Sequence, residues 1–163
     1  MLTIRTMSET LQDEDIRGIL ENRDESIRIE TIEPLYYPYV MLMYSFQLKG
    51  KLSKLNRQMM CNVDLVCGRQ AIGQGIPEFI TIEVEDHQVL PASVSEEEFL
   101  PASRDYVFRL FLGKMKILQT PEIQLAATDY FHKLFYLVEC LDQEDSPYHV
   151  LVDSMDGSLV LLD

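Results

Sequence analysis

No stretch of this 163-residue chain carries the roughly 18–20 consecutive apolar residues that a helix needs to span a bilayer. Basic residues are scarce as well: 14 Lys and Arg stand against 27 Asp and Glu, a net charge of −13. A field of that sign repels phosphate backbones and anionic lipid surfaces, which argues against nucleic acid and against a membrane as partner. Cysteine is limited to Cys61, Cys67 and Cys140, an odd number with no CxxC pair and no nearby histidine. Neither a disulfide framework nor a zinc site is supported by that pattern, and buried free thiols are expected. The opening MLTIRTMSETLQDED lacks the apolar core of a secretory signal. With Met1 as the native start, it predicts a cytoplasmic protein.

Catalytic signatures are missing too. There is no GxSxG, P-loop or HExxH, and Gly73-Gln-Gly75 lacks the third glycine and the following helix of a dinucleotide fingerprint. The acidic runs Glu83–Asp86, Glu96–Glu98 and Asp142–Asp145 do not interleave in the manner of a calcium loop. The expectation is therefore no cofactor and no metal. His87, His132 and His149 lie in separate segments, and the one conceivable nucleophile–base pair joins His132 or His149 to Cys140 across a hairpin.

What the chain does have is an internal echo. Residues 27–42 (IRIETIEPLYYPYVML) align without a gap on 123–138 (IQLAATDYFHKLFYLV), 96 positions later. Each stretch leads into a second match, Val63-Asp64-x-x-x-Gly68 against Val152-Asp153-x-x-x-Gly157. Apolar, acidic and glycine positions agree while identities mostly differ, so geometry rather than chemistry is shared. Asp bonds nearby amides in turns and Gly accepts positive φ, so these four residues are expected to be turn residues.

Hydropathy periods place a short strand over 2–6, a thin amphipathic helix over 8–23, and strands near 27–29, 39–48, 59–65, 70–72 and 79–85. Pro34 is expected to break the strand begun at Ile27, and Pro38 to open the next. Ser95-Glu96-Glu97-Glu98 is a capping box for a second helix, with Pro101 marking either a separate first turn or the true start. Strands are expected at 123–125, 133–141, 148–153 and 159–162. The fold class that follows is α+β: antiparallel sheets covered by helices, in two related helix–hairpin units. They span 1–90 and 91–163, each shielded by its own helix, as one compact domain or an intimate pair.

The second stretch, a helix opened by Ser95-Glu96-Glu97 and followed by strands and Tyr148-His-Val-Leu-Val-Asp153-Ser-Met-Asp-Gly157-Ser-Leu-Val, resembles the PepSY domain. The resemblance covers residues 95–163 and, more loosely, 8–72, so the chain looks like a degenerate tandem of that module. It implies a non-catalytic binding or inhibitory role outside the cytoplasm, of the kind PepSY modules play beside peptidase propeptides. The chain departs from that pattern in showing no visible leader, in an additional strand segment near 121–128 and in the long loop of its first copy.

Two features suggest contacts. Lys49, Lys51, Lys54 and Arg57 make a basic finger on an acidic body, suited to docking on an acidic patch. Tyr37, Tyr39, Met41 and Met43 share one face of a strand whose other face, Val40, Leu42, Tyr44 and Phe46, is also apolar. Such a strand is covered twice or serves as an interface. The sequence thus points to a non-catalytic interaction or regulatory protein with a protein or peptide partner, a second copy included. The alternatives are an acidic secretion-type chaperone and a small enzyme of unknown reaction, gathering His132 or His149 with Cys140 or acids.

Overall fold

In the computed structural model, residues 1–47, 56–114 and 121–162 are described. The elements run β1 (Leu2–Met7), α1 (Asp13–Arg23), β2 (Arg28–Gln47), β3 (Asn56–Asp64), β4 (Gln70–Ile72), β5 (Phe79–Val84), α2 (Glu96–Lys114), β6 (Glu122–Leu141), β7 (Pro147–Asp153) and β8 (Leu159–Leu162). Strand accounts for 51% against 22% helix, which overturns the expected α+β arrangement of two helix-covered helix–hairpin units. The protein is mostly sheet.

The correction begins with β2 and β6. Each is a single strand of 20 residues where the sequence suggested two shorter ones. Pro34 does not break β2, and the reason is parity. Pro34 and Pro38 alternate in step with Tyr36, whose carbonyl accepts from the Leu90 amide. Their missing N–H groups therefore point to the side where β3 pairs only from Tyr39 onward, and no ladder bond is lost.

A strand of 20 residues extends about 65 Å, too far for one small core. The chain accordingly forms two compact units, neither of them a contiguous stretch. The first holds residues 1–37, 77–90 and 132–163, and the second 38–76 and 91–131. The division cuts β2 between Tyr37 and Pro38 and β6 between Phe131 and His132. Because β2 leaves the first unit halfway, its returning partner β3 belongs to the second, and β7 belongs to the first for the same reason.

The helices are thereby exchanged between the two echoes. In the first unit Ile16 and Leu20 of α1 pack with Tyr136, Val138 and Cys140 of β6 and Val150 and Val152 of β7. In the second, Phe99, Val107 and Phe111 of α2 pack with Val40, Leu42, Tyr44 and Phe46 of β2 and Cys61 and Val63 of β3. Neither helix shields the hairpin that follows it in sequence.

Local chemistry sets the helix ends. Gln12 and Asp15 form the capping box of α1, so the helix starts at Asp13 rather than at Ser8. At the start of α2 only the Glu98 half of the expected capping box is made, Glu98 Oε1 accepting from Ser95 N at 3.3 Å and from Ser95 Oγ at 3.0 Å, and α2 continues through Pro101. Its buried stripe is Phe99, Ser103, Val107 and Phe111, an i, i+4 row.

In the first unit β1 pairs antiparallel with β5 (Ile4↔Ile82) and parallel with β6 through Thr6↔His132. There β7 pairs with β6 (Val138↔Val150) and β8 with β7 (Leu151↔Val160). In the second, β3 pairs with β2 (Leu42↔Cys61) and β4 with β3 (Asn62↔Ala71). No helix among the described residues is long and apolar enough to cross a membrane.

Candidate interaction surface

The face of β2 turned toward α2 is closed. Val40, Leu42, Tyr44 and Phe46 are at most 2% exposed, the Tyr44 hydroxyl lies 2.6 Å from Ser103 Oγ, and the Phe46 ring stacks on Phe111 at 4.1 Å. Its other face carries Tyr37 in the first unit and Tyr39, Met41 and Met43 in the second. The Tyr37 ring sits 4.7 Å from Phe135, and the Tyr39 ring 5.6 Å from Phe131. Met41 is buried and Met43 half-buried, and Met43 pairs in register with the buried Met60 of β3. Beside them Asn62 Oδ1 is buried without a hydrogen-bond partner. The structure thus gathers Tyr39, Met41 and Met43 on the face of β2 opposite to the one that packs on α2.

Arg57 is exposed but pairs with Phe46, so its parity puts it on the face opposite to Met43. Lys49, Lys51 and Lys54 lie outside the described residues.

The His–Cys chemistry is not assembled. Cys140 pairs with Tyr148 in the register of β6 and β7, so His149, the next residue, points to the opposite face. Cys140 is fully buried and its thiol is pushed up by burial, while His149 is exposed. His132 stands eight positions from Cys140 on the same strand, about 26 Å away, and burial lowers its pKa. All three thiols are free. Burial pushes Cys61 up to about 11, whereas Cys67, unexpectedly exposed, donates to Asp64 Oδ2 at 3.1 Å. Among the described residues no three His, Cys, Asp or Glu side chains converge on a point where a metal could sit.

Sequence reasoning passed over the edge of the first unit. Among the described residues β8 pairs with β7 alone, leaving its outer rim of N–H and C=O groups without a strand neighbour. Val160 and Leu161 on that rim are 53% and 66% exposed. The strand reads Leu159-Val160-Leu161-Leu162, with none of the Lys or Pro residues that commonly blunt an edge. That unbroken apolar run, without the polar alternation of a half-buried strand, was the available signal. Compared with protein-family models, curated proteins and solved structures, the chain matches none.

Proposed function

We propose that this is a non-catalytic interaction protein that takes an extended segment of a protein or peptide partner beside β8. The open apolar rim of that strand is the observation that carries the reading. An added strand would satisfy the rim's backbone groups, and its alternate side chains would cover Val160 or Leu161. The charge of −13 favours a segment with basic flanks. A cytoplasmic setting belongs to the same proposal. In this reading the surface of Tyr39, Met41 and Met43 in the second unit is a separate contact area.

A random-peptide display selection on the intact chain, run beside a Val160→Lys/Leu161→Lys variant, tests it. The expected result is enrichment of alternating apolar peptides on the parent and their loss on the variant. No enrichment, or equal enrichment on both, contradicts the proposal. Light scattering on the same two samples separates a second copy from a foreign segment as the occupant.

A further inference from the structure

Hydrogen-bond phase fixes which groups the open rim of β8 presents. Where the β7–β8 ladder begins, the Asp153 amide donates to Ser158 O at 2.9 Å. Bonded and non-bonded pairs alternate along an antiparallel ladder. Leu151↔Val160 and His149↔Leu162 are therefore bonded pairs, and Val152↔Leu159 and Val150↔Leu161 are not. Val160 and Leu162 turn their backbone groups to β7. Leu159 and Leu161 turn theirs outward, where no described strand meets them.

The side chains beside that rim form uncharged rows on both faces. Leu137, Leu151 and Val160 lie in one row, on the face opposite to the one that packs on α1. Val138, Val150 and Leu161 make a row on the α1 face, and Tyr136, Val152 and Leu159 the row beside it. Leu161 is exposed although it lies on the α1 face, so α1 stops short of the rim and leaves room for another strand. An alternating segment would continue the rows on one face only. The segment that continues all of them carries apolar residues at consecutive positions, as Leu159-Val160-Leu161-Leu162 itself does.

We infer that β8 pairs antiparallel with β8 of a second copy, about a two-fold axis through Val160. The inference rests on the open rim proposed above as a docking edge. It makes the second copy the resting occupant, which a partner segment must displace. An axis at Val160 sets Leu159 against the second copy's Leu161, and Leu161 against its Leu159, so every outward backbone group of the two strands is bonded. An axis at Leu161 would instead carry Leu159 past Leu162, the last residue of β8. Val160 then opposes its own counterpart in a non-bonded pair, where side chains approach closest. Each copy carries a charge of −13, so repulsion opposes the contact, although β8 itself has no charged residue. So short an edge buries less than the roughly 800 Å² per partner of a stable interface, and the dimer is weak, with a Kd on the order of 100 µM.

The test is sedimentation velocity of the intact chain at loading concentrations from about 1 µM to about 1 mM, which bracket that Kd. A monomer–dimer equilibrium is expected, tightening as NaCl rises from about 0.02 M to about 0.5 M because salt screens the repulsion. Val160→Lys places two ammonium ions opposite each other and should weaken pairing about tenfold or more, and Val160→Glu should do the same. An equimolar mixture of the two variants should form a heterodimer within about threefold of the parent's affinity, since only a self-opposed position is rescued in this way. Val160 is exposed, so neither change disturbs the monomer. The inference is overturned by a parent that stays monomeric throughout, by a Val160→Lys variant that dimerises like the parent, or by a mixture that stays monomeric. A monomeric parent on which display peptides still enrich sinks self-pairing alone. A rescued dimer on which no peptide enriches upholds self-pairing and sinks the partner reading alone.

Discussion

The two Asp-x-x-x-Gly corners share one backbone and differ in one carboxylate oxygen. At the second unit's corner, Asp64 Oδ1 accepts from Val66 N at 2.8 Å, the Gly68 amide donates back to Asp64 O at 2.7 Å, and Gly68 has φ of 80°. At the first unit's corner, Asp153 Oδ1 accepts from Met155 N at 2.8 Å, Gly157 donates to Asp153 O at 2.9 Å, and Gly157 has φ of 75°. The residue after each aspartate ties the corner to its surroundings in the same way. The Leu65 amide donates to Pro38 O and its carbonyl accepts from Ser93 and Val94, just before α2. The Ser154 amide donates to Leu134 O and its carbonyl accepts from Leu11, just before α1. Pro38 and Leu134 are the same position of the echo, 96 residues apart.

The second oxygen parts them. Asp64 Oδ2 takes the Cys67 thiol, a weak donor, whereas Asp153 Oδ2 takes the Lys133 ammonium at 2.7 Å. That ion pair is only 20% and 13% exposed, and the Lys133 ammonium also lies over the Phe135 ring at 5.2 Å. Two corners with one shape therefore carry unequal loads.

Replacing each aspartate by alanine measures that inequality. Asp64→Ala should cost about 1 kcal/mol, the worth of a lost side-chain cap. Asp153→Ala should cost about 2–3 kcal/mol, because it also removes the 2.7 Å contact between Asp153 Oδ2 and the Lys133 ammonium. Urea unfolding of the two variants decides, and equal losses would mean that the Lys133 pair contributes nothing.

The glycines give a smaller contrast. Alanine at either position meets the penalty of a left-handed backbone, about 1–2 kcal/mol. At Gly68 the new methyl would find Val94 Cγ2 at 3.7 Å, an ordinary contact, but at Gly157 it would meet Ile19 Cδ1 of α1 at 2.8 Å. Gly157→Ala should therefore be the more costly by a few tenths to about 1 kcal/mol, because Ile19 must turn aside. The same urea titration reads it.

The smallest effect concerns pH. His132 and Tyr36 occupy one position of the echo, and each makes a parallel bridge to the strand segment preceding a helix. Burial lowers the His132 pKa below its ordinary 6.5. The unfolded chain then binds a proton that the folded chain resists between the folded value and 6.5. The stability contributed by neutral His132 is present above 6.5 and is lost as pH falls below it. Burial raises the Tyr36 pKa, so Tyr36 stays neutral throughout this range. His132→Tyr, which makes the two positions alike, should flatten the fall in stability between pH 7 and pH 5 relative to the parent. An unchanged slope would assign the acid sensitivity to other groups.

Much of the local structure was legible. Asp64, Gly68, Asp153 and Gly157 read as turn residues because their side chains say what the backbone must do. Alternation gave the two faces of 39–46, and Ser95 to Glu98 gave a helix start. The pairing of helix with sheet was hidden, because the stripe through Phe99, Val107 and Phe111 shows that a helix is covered without naming the sheet that covers it. Pro34 and Pro38 misled for a related reason. A proline interrupts a ladder only on the side its nitrogen faces, and that side depends on neighbours far away in the chain.

The exchange of helices is the claim on which the architecture depends, and amide hydrogen exchange on a Val107→Ala variant tests it most directly. Val107 is fully buried in α2, and its truncation loosens whatever that helix covers. The exchanged arrangement predicts faster exchange at Met60 to Val63 of β3, with Val150 to Val152 of β7 unchanged. Faster exchange at β7 with β3 unaffected would show that each helix shields the hairpin that follows it, and would contradict the account.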